Sequence, residues 1–367
     1  MNGTSARQEK FLYLDGLRAI AILLVIIVHV SQAFPELPHR ILQFFDFGKR
    51  GVQLFFVVSG YTLTKVYFGR GMDVAQFFTR RFFRIAPIFY LAGAVYIALG
   101  ALGDFHYAAR PNAFQVITTL LFIHGWFPSS INYVVPGGWS IGAEAMFYVL
   151  FPLLFATMSN RKVFLALAAF SYPLAMVVRL MLDRWGPGEG TDAAVFASYF
   201  FLVHLPAFAS GCAVALIEPA LQKRFAVNWR ALFWVLLLAV PAMALTKATS
   251  NALLADLVFA SLVLASALAR PAFIESPLFT WIGRISFSVY LVHFLFLNAL
   301  FLLQPRLVAA VGVPAGLVVG FAGVTVGSLL LSDVTHRFIE KPMIALGRRV
   351  DGMRERRKHG QGGIARG

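Results

Sequence analysis

Charged residues are scarce in this sequence of 367 residues. Only 13% are Asp, Glu, Lys or Arg, whereas 59% are hydrophobic and the mean hydropathy is +0.73. A soluble domain carries about 25% charged residues, so the composition excludes a soluble globular protein and indicates an integral membrane protein. Cysteine is also nearly absent, since Cys212 stands alone, and this excludes a disulfide within these residues.

Several motifs of soluble enzymes are missing as well. The sequence has no Cys and His cluster with zinc-site spacing, no Walker loop and no Gly-rich dinucleotide turn. We therefore expect no metal. No internal repeat is visible, which argues against a secondary transporter, because many transporters are built from two repeated halves.

Long apolar runs predict an all-α protein, a polytopic bundle of about ten membrane-spanning helices. A span needs roughly 17 to 25 mostly apolar residues. The predicted spans are 12–32, 51–69, 85–103, 138–158, 163–182, 195–217, 231–246, 252–269, 284–303 and 312–335. The apolar stretch 114–127 is too short to cross alone, so we interpret it as re-entrant or interfacial, with a short extra span as the alternative.

Positive charge is distributed unevenly between the two sides of these spans. In this topology 22 Lys and Arg residues lie on the side of both termini and 8 on the other side. The positive-inside rule therefore predicts that both termini are cytoplasmic. Residues 1–346 form the predicted membrane domain and 347–367 a basic cytoplasmic tail. Loops and tail beside anionic membrane lipid explain the net charge of +15, so no nucleic-acid partner is expected.

Two polar side chains share one stripe of the first span. Arg18 precedes the apolar run 19–30 and His29 lies near its end. Eleven residues of α-helix bring both side chains to the same face, about 16 Å apart along the axis. Ionisable side chains inside a membrane span are costly and by default mark a functional site.

Three arginines, Arg80, Arg81 and Arg84, precede the third span. On a helix Arg80 and Arg84 share a face because they are four residues apart. Guanidinium groups bind phosphate oxygens in a bidentate way, which favours a phosphate-rich cytoplasmic ligand such as a coenzyme A thioester. An anchor that only obeys the positive-inside rule explains the same residues equally well.

Other polar positions lie within later spans. Glu144 needs a partner or a proton there, because an unpaired buried carboxylate is expensive; a structural salt bridge explains it almost as well as catalysis. Ser59, Trp139 and His293 are candidate substrate-binding residues. His293 taken alone is more often a hydrogen-bonded core histidine.

Six segments, in this order, resemble the bacterial acyltransferase 3 family of membrane acyltransferases. They are LDGLRAIAILLVIIVH, GVQLFFVVSGYTL, RRFFRIAP, WSIGAEAMFY, ISFSVYLVH and FIEKP, spread over residues 14–342. The resemblance maps an essential histidine onto His29, its companion arginine onto Arg18 and an arginine pair onto Arg81 and Arg84. The resemblance pairs Arg84 with Arg81, whereas the shared helix face pairs it with Arg80. Arg80 and Arg81 therefore remain hard to separate. The family often has Leu-Ser where this sequence has Ile141-Gly142.

The resemblance also implies an activity and a location. It implies a multi-pass protein of the bacterial cytoplasmic (inner) membrane that moves an acyl group, commonly acetyl, from cytoplasmic acyl-CoA. The acceptor would be a hydroxyl of a glycan, a lipid-linked glycan or a small molecule. A secondary transporter of an anionic or acylated solute, or a scaffold subunit, are the alternatives from other functional classes.

The expected mechanism is general-base catalysis. Neutral His29 would take the proton of the acceptor hydroxyl, while Arg18 or a neighbouring dipole stabilises the oxyanion and Glu144 completes the catalytic set. A covalent acyl-histidine is the alternative. We further expect Arg18, Ser59 and Glu144 to line one cavity with His29.

Overall fold

The structure is a computed structural model that describes residues 11–103, 105–107, 110–186, 191–245 and 252–364. The basic residues before position 11 and the last three residues of the predicted tail lie outside these ranges. Every regular element within them is helical. The helices are α1 Leu12–Gln32, α2 His39–Asp46, α3 Gly51–Tyr67, α4 Val74–Leu102, α5 Ala113–Leu120, α6 Gly138–Thr157, α7 Arg161–Trp185, α8 Thr191–Tyr199, α9 Phe201–Arg224, α10 Trp229–Ala244, α11 Ala252–Ala269, α12 Pro277–Val311, α13 Val313–Thr335 and α14 Lys341–Ile364.

Nine of the ten predicted spans each correspond to one helix, and 195–217 covers the end of α8 and most of α9. Among the described residues, eight helical segments are long and apolar enough to cross a membrane. The other two predicted spans correspond to α3 with 17 residues and α10 with 16. The all-α polytopic bundle is therefore confirmed. Helix α5 has only eight residues, about 12 Å of length, so it is too short to cross alone, as its sequence indicates.

Two helices extend well beyond their apolar runs. Helix α4 begins at Val74 rather than at residue 85, because the side chain of Asp73 caps it by accepting a hydrogen bond from the Gln76 amide. Helix α12 has 35 residues, although only 284–303 were predicted as a span. Hydropathy marks the apolar part of a helix, whereas capping decides where it starts. The three arginines consequently lie inside α4.

Helices α3 and α9 touch through two glycines. A Cβ atom on Gly60 would lie 2.1 Å from the backbone oxygen of Phe208, and one on Gly211 would lie 2.1 Å from the backbone oxygen of Val57. Small residues at such crossings let membrane helices approach closely and gain packing energy. This contact fixes α3, which carries Ser59, against the rest of the bundle.

We expect Gly211→Ala to destabilise the protein by about 1–3 kcal/mol, because its new methyl group forces two backbones apart. Helix propensity alone predicts the opposite sign, because alanine stabilises a helix by about 1 kcal/mol relative to glycine. A loss of stability in Gly211→Ala would therefore indicate the steric clash. The matched control is Gly323→Ala in α13, where no atom lies within 4 Å of the Cβ position. Melting temperatures of the purified variants in detergent report the difference. Equal melting temperatures would contradict the packing argument.

Helix α14 follows α13 through the π-helical turn His336–Glu340 and packs along α4. Arg80 in α4 donates from Nε to Oδ2 of Asp351, a buried carboxylate, at 2.8 Å. Gly347 lies against Phe83 so closely that a Cβ there would be 2.8 Å from the Phe83 side chain. The predicted basic tail thus begins inside a helix that contacts the start of α4.

Candidate active site

A cavity of about 200 Å³ lies between α1, α3, α4, α6 and α12. It brings together five of the nine residues predicted as site residues. They are Arg18, Ser59, Arg81, Arg84 and Glu144. The remaining lining is Val52, Phe55, Phe56, Thr62, Leu63, Ile85, Ser140, Ile141, Tyr148, Ser286, Phe287 and Tyr290.

The charged lining of the cavity is mainly positive. Arg18 donates to Oδ1 of Asp15 at 2.9 Å and to the Thr62 hydroxyl at 3.2 Å. In the part of the chain that the structure describes, no carboxylate lies within 4.0 Å of the guanidinium nitrogens of Arg81 or Arg84. Three guanidinium groups therefore face one lining carboxylate, and such a charge balance suits an anionic ligand.

Arg81 is held in place without an ion pair. Its guanidinium carbon lies 5.5 Å from the centroid of the Tyr148 ring and 5.8 Å from that of Phe77. Such contacts between a cation and aromatic rings are favourable. Its buried Nε has no hydrogen-bond partner among the described residues. A buried donor left unpaired is costly, so Arg81 is ready to bind an incoming acceptor oxygen.

Glu144 is the carboxylate of the cavity. Its Oε1 accepts hydrogen bonds from the Ser59 hydroxyl at 2.9 Å and from the Tyr148 hydroxyl at 2.5 Å. Tyr148 follows Glu144 by one turn of α6 and also contacts Arg81. Glu144 therefore links α3 to α6. It also holds the Tyr148 ring against which Arg81 of α4 packs.

The structure separates Arg80 from Arg81. Arg80 does not line the cavity, since it pairs with Asp351 on α14. Arg81 and Arg84 line the cavity together, because residues three apart also share a helix face. The register implied by the family resemblance names the two arginines that line the cavity, whereas the four-residue spacing paired Arg84 with Arg80, which does not line it.

His29 and His293 lie outside the cavity and contact each other. Nδ1 of His29 and Nε2 of His293 are 3.2 Å apart, and Nδ1 of His293 is 2.8 Å from the backbone oxygen of Tyr290. A carbonyl oxygen only accepts, so Nδ1 of His293 carries a proton. In a neutral pair its Nε2 then accepts from Nδ1–H of His29. This assignment leaves the lone pair of Nε2 on His29 available as a base.

Tyr290 is a cavity residue that also contacts this histidine pair. It lines the cavity, and its ring centroid is 5.9 Å from that of His293. Its hydroxyl donates to the backbone oxygen of Gly137 at 2.9 Å and accepts from the Ser140 hydroxyl at 2.8 Å. The cavity therefore includes Arg18, Ser59 and Glu144 as expected, but it does not include His29.

Trp139 is one side chain removed from the cavity. Its ring stacks on Tyr199 with centroids 4.4 Å apart and also packs near His204. Phe56, which lines the cavity, makes an edge contact with Trp139. Trp139 thus supports the cavity wall and does not line the cavity itself.

Sequence reasoning missed Tyr290, Tyr148, Thr62 and Asp15 as site residues. A signal existed for two of them, because Tyr290 precedes His293 by three residues and Tyr148 follows Glu144 by four, spacings that share a helix face. Asp15 and Thr62 become relevant only through the packing of α1 on α3. Within the described residues, no three His, Cys, Asp or Glu side chains are grouped so that they could hold a metal.

Comparisons with known proteins cover most of the chain. The sequence profile of a family described as an acyltransferase domain matches residues 11–335. The chain is 23% identical to the peptidoglycan O-acetyltransferase OatA of Listeria monocytogenes, over 94% of this chain and 57% of that protein. It is 22% identical to the O-acetyltransferase OatA of Staphylococcus aureus, over 90% of this chain and 56% of that protein.

A third relative is matched over most of its own length. The exopolysaccharide production protein ExoZ of Rhizobium meliloti is 27% identical, over 83% of this chain and 92% of that protein. The chain therefore spans somewhat more than half of the two O-acetyltransferases and nearly all of the third protein. No solved structure shows a significant match. Because the family profile covers residues 11–335, the chain belongs to this family of membrane acyltransferases.

Proposed function

We propose that this protein transfers an acyl group, acetyl in the simplest case, from cytoplasmic acyl-CoA to a hydroxyl of a glycan or another acceptor at or across the membrane. The observation that carries the proposal is the cavity in which Arg18, Arg81 and Arg84 face one carboxylate. Tyr290, which lines this cavity, also lies 5.9 Å from His293, one of a pair of hydrogen-bonded histidines, between ring centroids. The names of two relatives, for peptidoglycan O-acetylation and for exopolysaccharide production, support a glycan acceptor.

The donor would enter the cavity only in part. Sites for whole drug-sized ligands occupy about 300–1,000 Å³, more than the 200 Å³ of this cavity. Arg84 is exposed and Arg81 is half-buried, so the phosphates would bind at the mouth through their guanidinium forks. The thin thioester arm would extend inward past Glu144. This mouth would open to the cytoplasm, because the loops on its side of the membrane carry most of the Lys and Arg residues.

The chemistry would take place at His29. Nε2 of His29 accepts the proton of the acceptor hydroxyl while that oxygen bonds to the thioester carbonyl carbon. The carbon–sulfur bond then breaks and the coenzyme A thiolate leaves, while the proton stays on His29. His293 keeps the lone pair of His29 on Nε2 by accepting from Nδ1–H, so His293 acts as a positioning residue.

We assign Arg18 to donor binding instead of catalysis. It lies eleven residues before His29 on α1, about 16 Å along the helix axis, and its guanidinium is directed to Asp15 and Thr62. It is therefore too far away to stabilise an oxyanion at His29. Glu144 is assigned to positioning, because both of its hydrogen bonds hold the cavity wall.

Inside-out membrane vesicles test this proposal. They are prepared from cells in which the chain occurs and receive acetyl-CoA labelled in its acetyl group. We expect label in the glycan or lipid fraction that mild base releases, as for an O-acetyl ester, and none in vesicles from cells without the chain. Acetyl-CoA added to right-side-out vesicles should give no label, because the donor cannot reach the cavity.

Two outcomes would contradict the proposal. Label that accumulates inside the vesicles as a free solute, with none bound covalently, would instead indicate a transporter. Covalent labelling from right-side-out vesicles alone would place the donor site on the opposite face.

A further inference from the structure

His29 lies close to one end of the bundle. It precedes the last residue of α1, Gln32, by three positions, which is about 4.5 Å along the helix axis. This end of α1 is opposite the N-terminus of the chain, and we call it the outer side. The His29 side chain is half-buried, whereas Gln32 is exposed. An acceptor that approaches from the outer side therefore has to pass about one helical turn to reach His29.

A stripe of α12 begins at this histidine and runs towards the outer side. Phe294, Asn298 and Phe301 follow one another at spacings of four and three residues, so their side chains share one face of the helix. The ring centroids of His29 and Phe294 are 4.8 Å apart. Side chains that contact this stripe are therefore neighbours of His29 on its outer side.

The loop after α4 packs on this stripe. The backbone amide of His106 donates to Oδ1 of Asn298 at 2.8 Å, and its ring stacks on Phe301 with centroids 4.8 Å apart. The His106 side chain is nevertheless exposed. The loop is thus anchored to α12 through both its backbone and a ring that remains accessible.

The next residue of the loop, Tyr107, brings a second ring close to His29. Phe294 contacts both rings, with centroid distances of 4.8 Å to His29 and 4.9 Å to Tyr107, so Tyr107 lies within about 10 Å of His29. Tyr107 is half-buried. One or two sugar rings are long enough to bridge this distance.

A polar pair lies further out along α12. Gln304 follows Phe301 by three residues, and its Nε2 donates to both carboxylate oxygens of Glu36, at 3.1 and 3.2 Å. Glu36 is exposed. Hydroxyl groups can donate to this carboxylate and can exchange hydrogen bonds with the amide. The carboxylate repels a phosphate group, so the pair favours an uncharged ligand rich in hydroxyls over a phospholipid headgroup.

We propose that this outer surface beside His29 is the acceptor site, and that it binds an uncharged sugar ring. This inference rests on the proposed function. The rings of His106 and Tyr107 would pack on the C–H face of the sugar. Glu36 and Gln304 would bind its hydroxyl groups. Aromatic side chains with a few polar groups among them are the usual lining of small-molecule sites. One sugar hydroxyl would reach His29 from the outer side, while the acyl group arrives from the cytoplasmic side.

The first test measures the KM for an added saccharide. The chain purified in detergent receives labelled acetyl-CoA and chitotetraose, an uncharged glycan. We expect Tyr107→Ala to raise the KM for chitotetraose about tenfold, the contribution of a well-packed aromatic ring, and to leave the KM for acetyl-CoA within about twofold. Tyr107→Phe keeps the ring and should behave like the unmodified chain. Glu36→Ala should raise the saccharide KM about two- to tenfold, the range for one net hydrogen bond.

The matched control is Tyr133→Ala, which removes an exposed tyrosine shortly before α6. An unchanged saccharide KM in Tyr107→Ala, or an equal rise in Tyr133→Ala, would overturn the inference. If the unmodified chain does not acetylate chitotetraose, the proposed function fails for this acceptor, and the next measurement tests the site by itself.

The second test measures binding without catalysis. Cys212 is fully buried, so Gln32→Cys introduces the one thiol expected to respond, and the chain without this substitution gives the background. A membrane-impermeant methanethiosulfonate is added to right-side-out vesicles. Chitotetraose should slow labelling about tenfold when it occupies nine-tenths of the sites. The same saccharide should not slow labelling of Tyr133→Cys, and adding Tyr107→Ala to Gln32→Cys should remove most of the protection. No protection at position 32, or equal protection with and without the Tyr107 ring, would overturn the site.

Discussion

His29→Ala is expected to lower acyl transfer at least about 100-fold while the protein still inserts and folds, because a general base typically contributes about 100- to 10,000-fold. The structure gives a reason for this position in particular. The hydrogen bonds of His293 to the Tyr290 carbonyl and to His29 direct the free lone pair to Nε2 of His29. Transfer of labelled acetyl from acetyl-CoA in inside-out vesicles, normalised to the amount of protein, measures the effect.

His29→Asn separates catalysis from structure. The Asn amide can replace the Nδ1–H donor that faces His293, but it has no basic nitrogen, so activity should stay lost while the melting temperature recovers towards that of the unmodified chain. The control is His39→Ala on the exposed helix α2, where His39 contacts Gln43. Near-normal transfer by well-folded His29→Asn would contradict the role of His29 as general base and leave it only a packing role.

Replacing both Arg81 and Arg84 with lysine is expected to raise the KM for acetyl-CoA about tenfold. Lysine keeps the positive charge but cannot form the bidentate fork that guanidinium offers to phosphate. Loss of about 1.4 kcal/mol, close to the net contribution of one charge-assisted hydrogen bond, corresponds to tenfold weaker binding. The value of kcat should change less than KM, because the phosphates are remote from the reacting carbon. Initial rates at varied acetyl-CoA concentration separate the two constants.

Arg80→Lys is the matched control in the same helix. Arg80 pairs with Asp351 and does not line the cavity, so its replacement should leave the KM for acetyl-CoA within about twofold, a change of only about 0.4 kcal/mol in binding. If the arginines served only as positive-inside anchors, lysine would replace all three equally well. An unchanged KM in the double variant, or an equal rise in Arg80→Lys, would therefore reject the phosphate-binding role.

The membrane domain could be predicted because its signals are local. Each span is a run of apolar residues, and all ten runs correspond to helices. The helix ends were less accurate, since capping by Asp73 starts α4 well before its apolar part. The family could be identified from six short segments in order, and the family profile confirms it.

The site was only partly predictable. Sequence alone singled out Arg18, Ser59, Arg81, Arg84 and Glu144, and the packing of five helices brings them to one cavity. It could not separate Arg80 from Arg81, because two adjacent arginines of one helix differ only in the element that each side chain faces. Arg80 faces α14, where it pairs with Asp351, 271 positions away along the chain.

Composition and order along the chain therefore determined the membrane environment, the positions of the ten apolar helical runs and the family of this protein, because these depend on each segment by itself. Tertiary structure alone decided that His29 is paired with His293, 264 positions away, and that Tyr290 lines one cavity with the arginines. Such contacts depend on how far each helix is rotated about its axis and on where two helices cross. Those quantities are set by side-chain packing between segments that are distant in sequence.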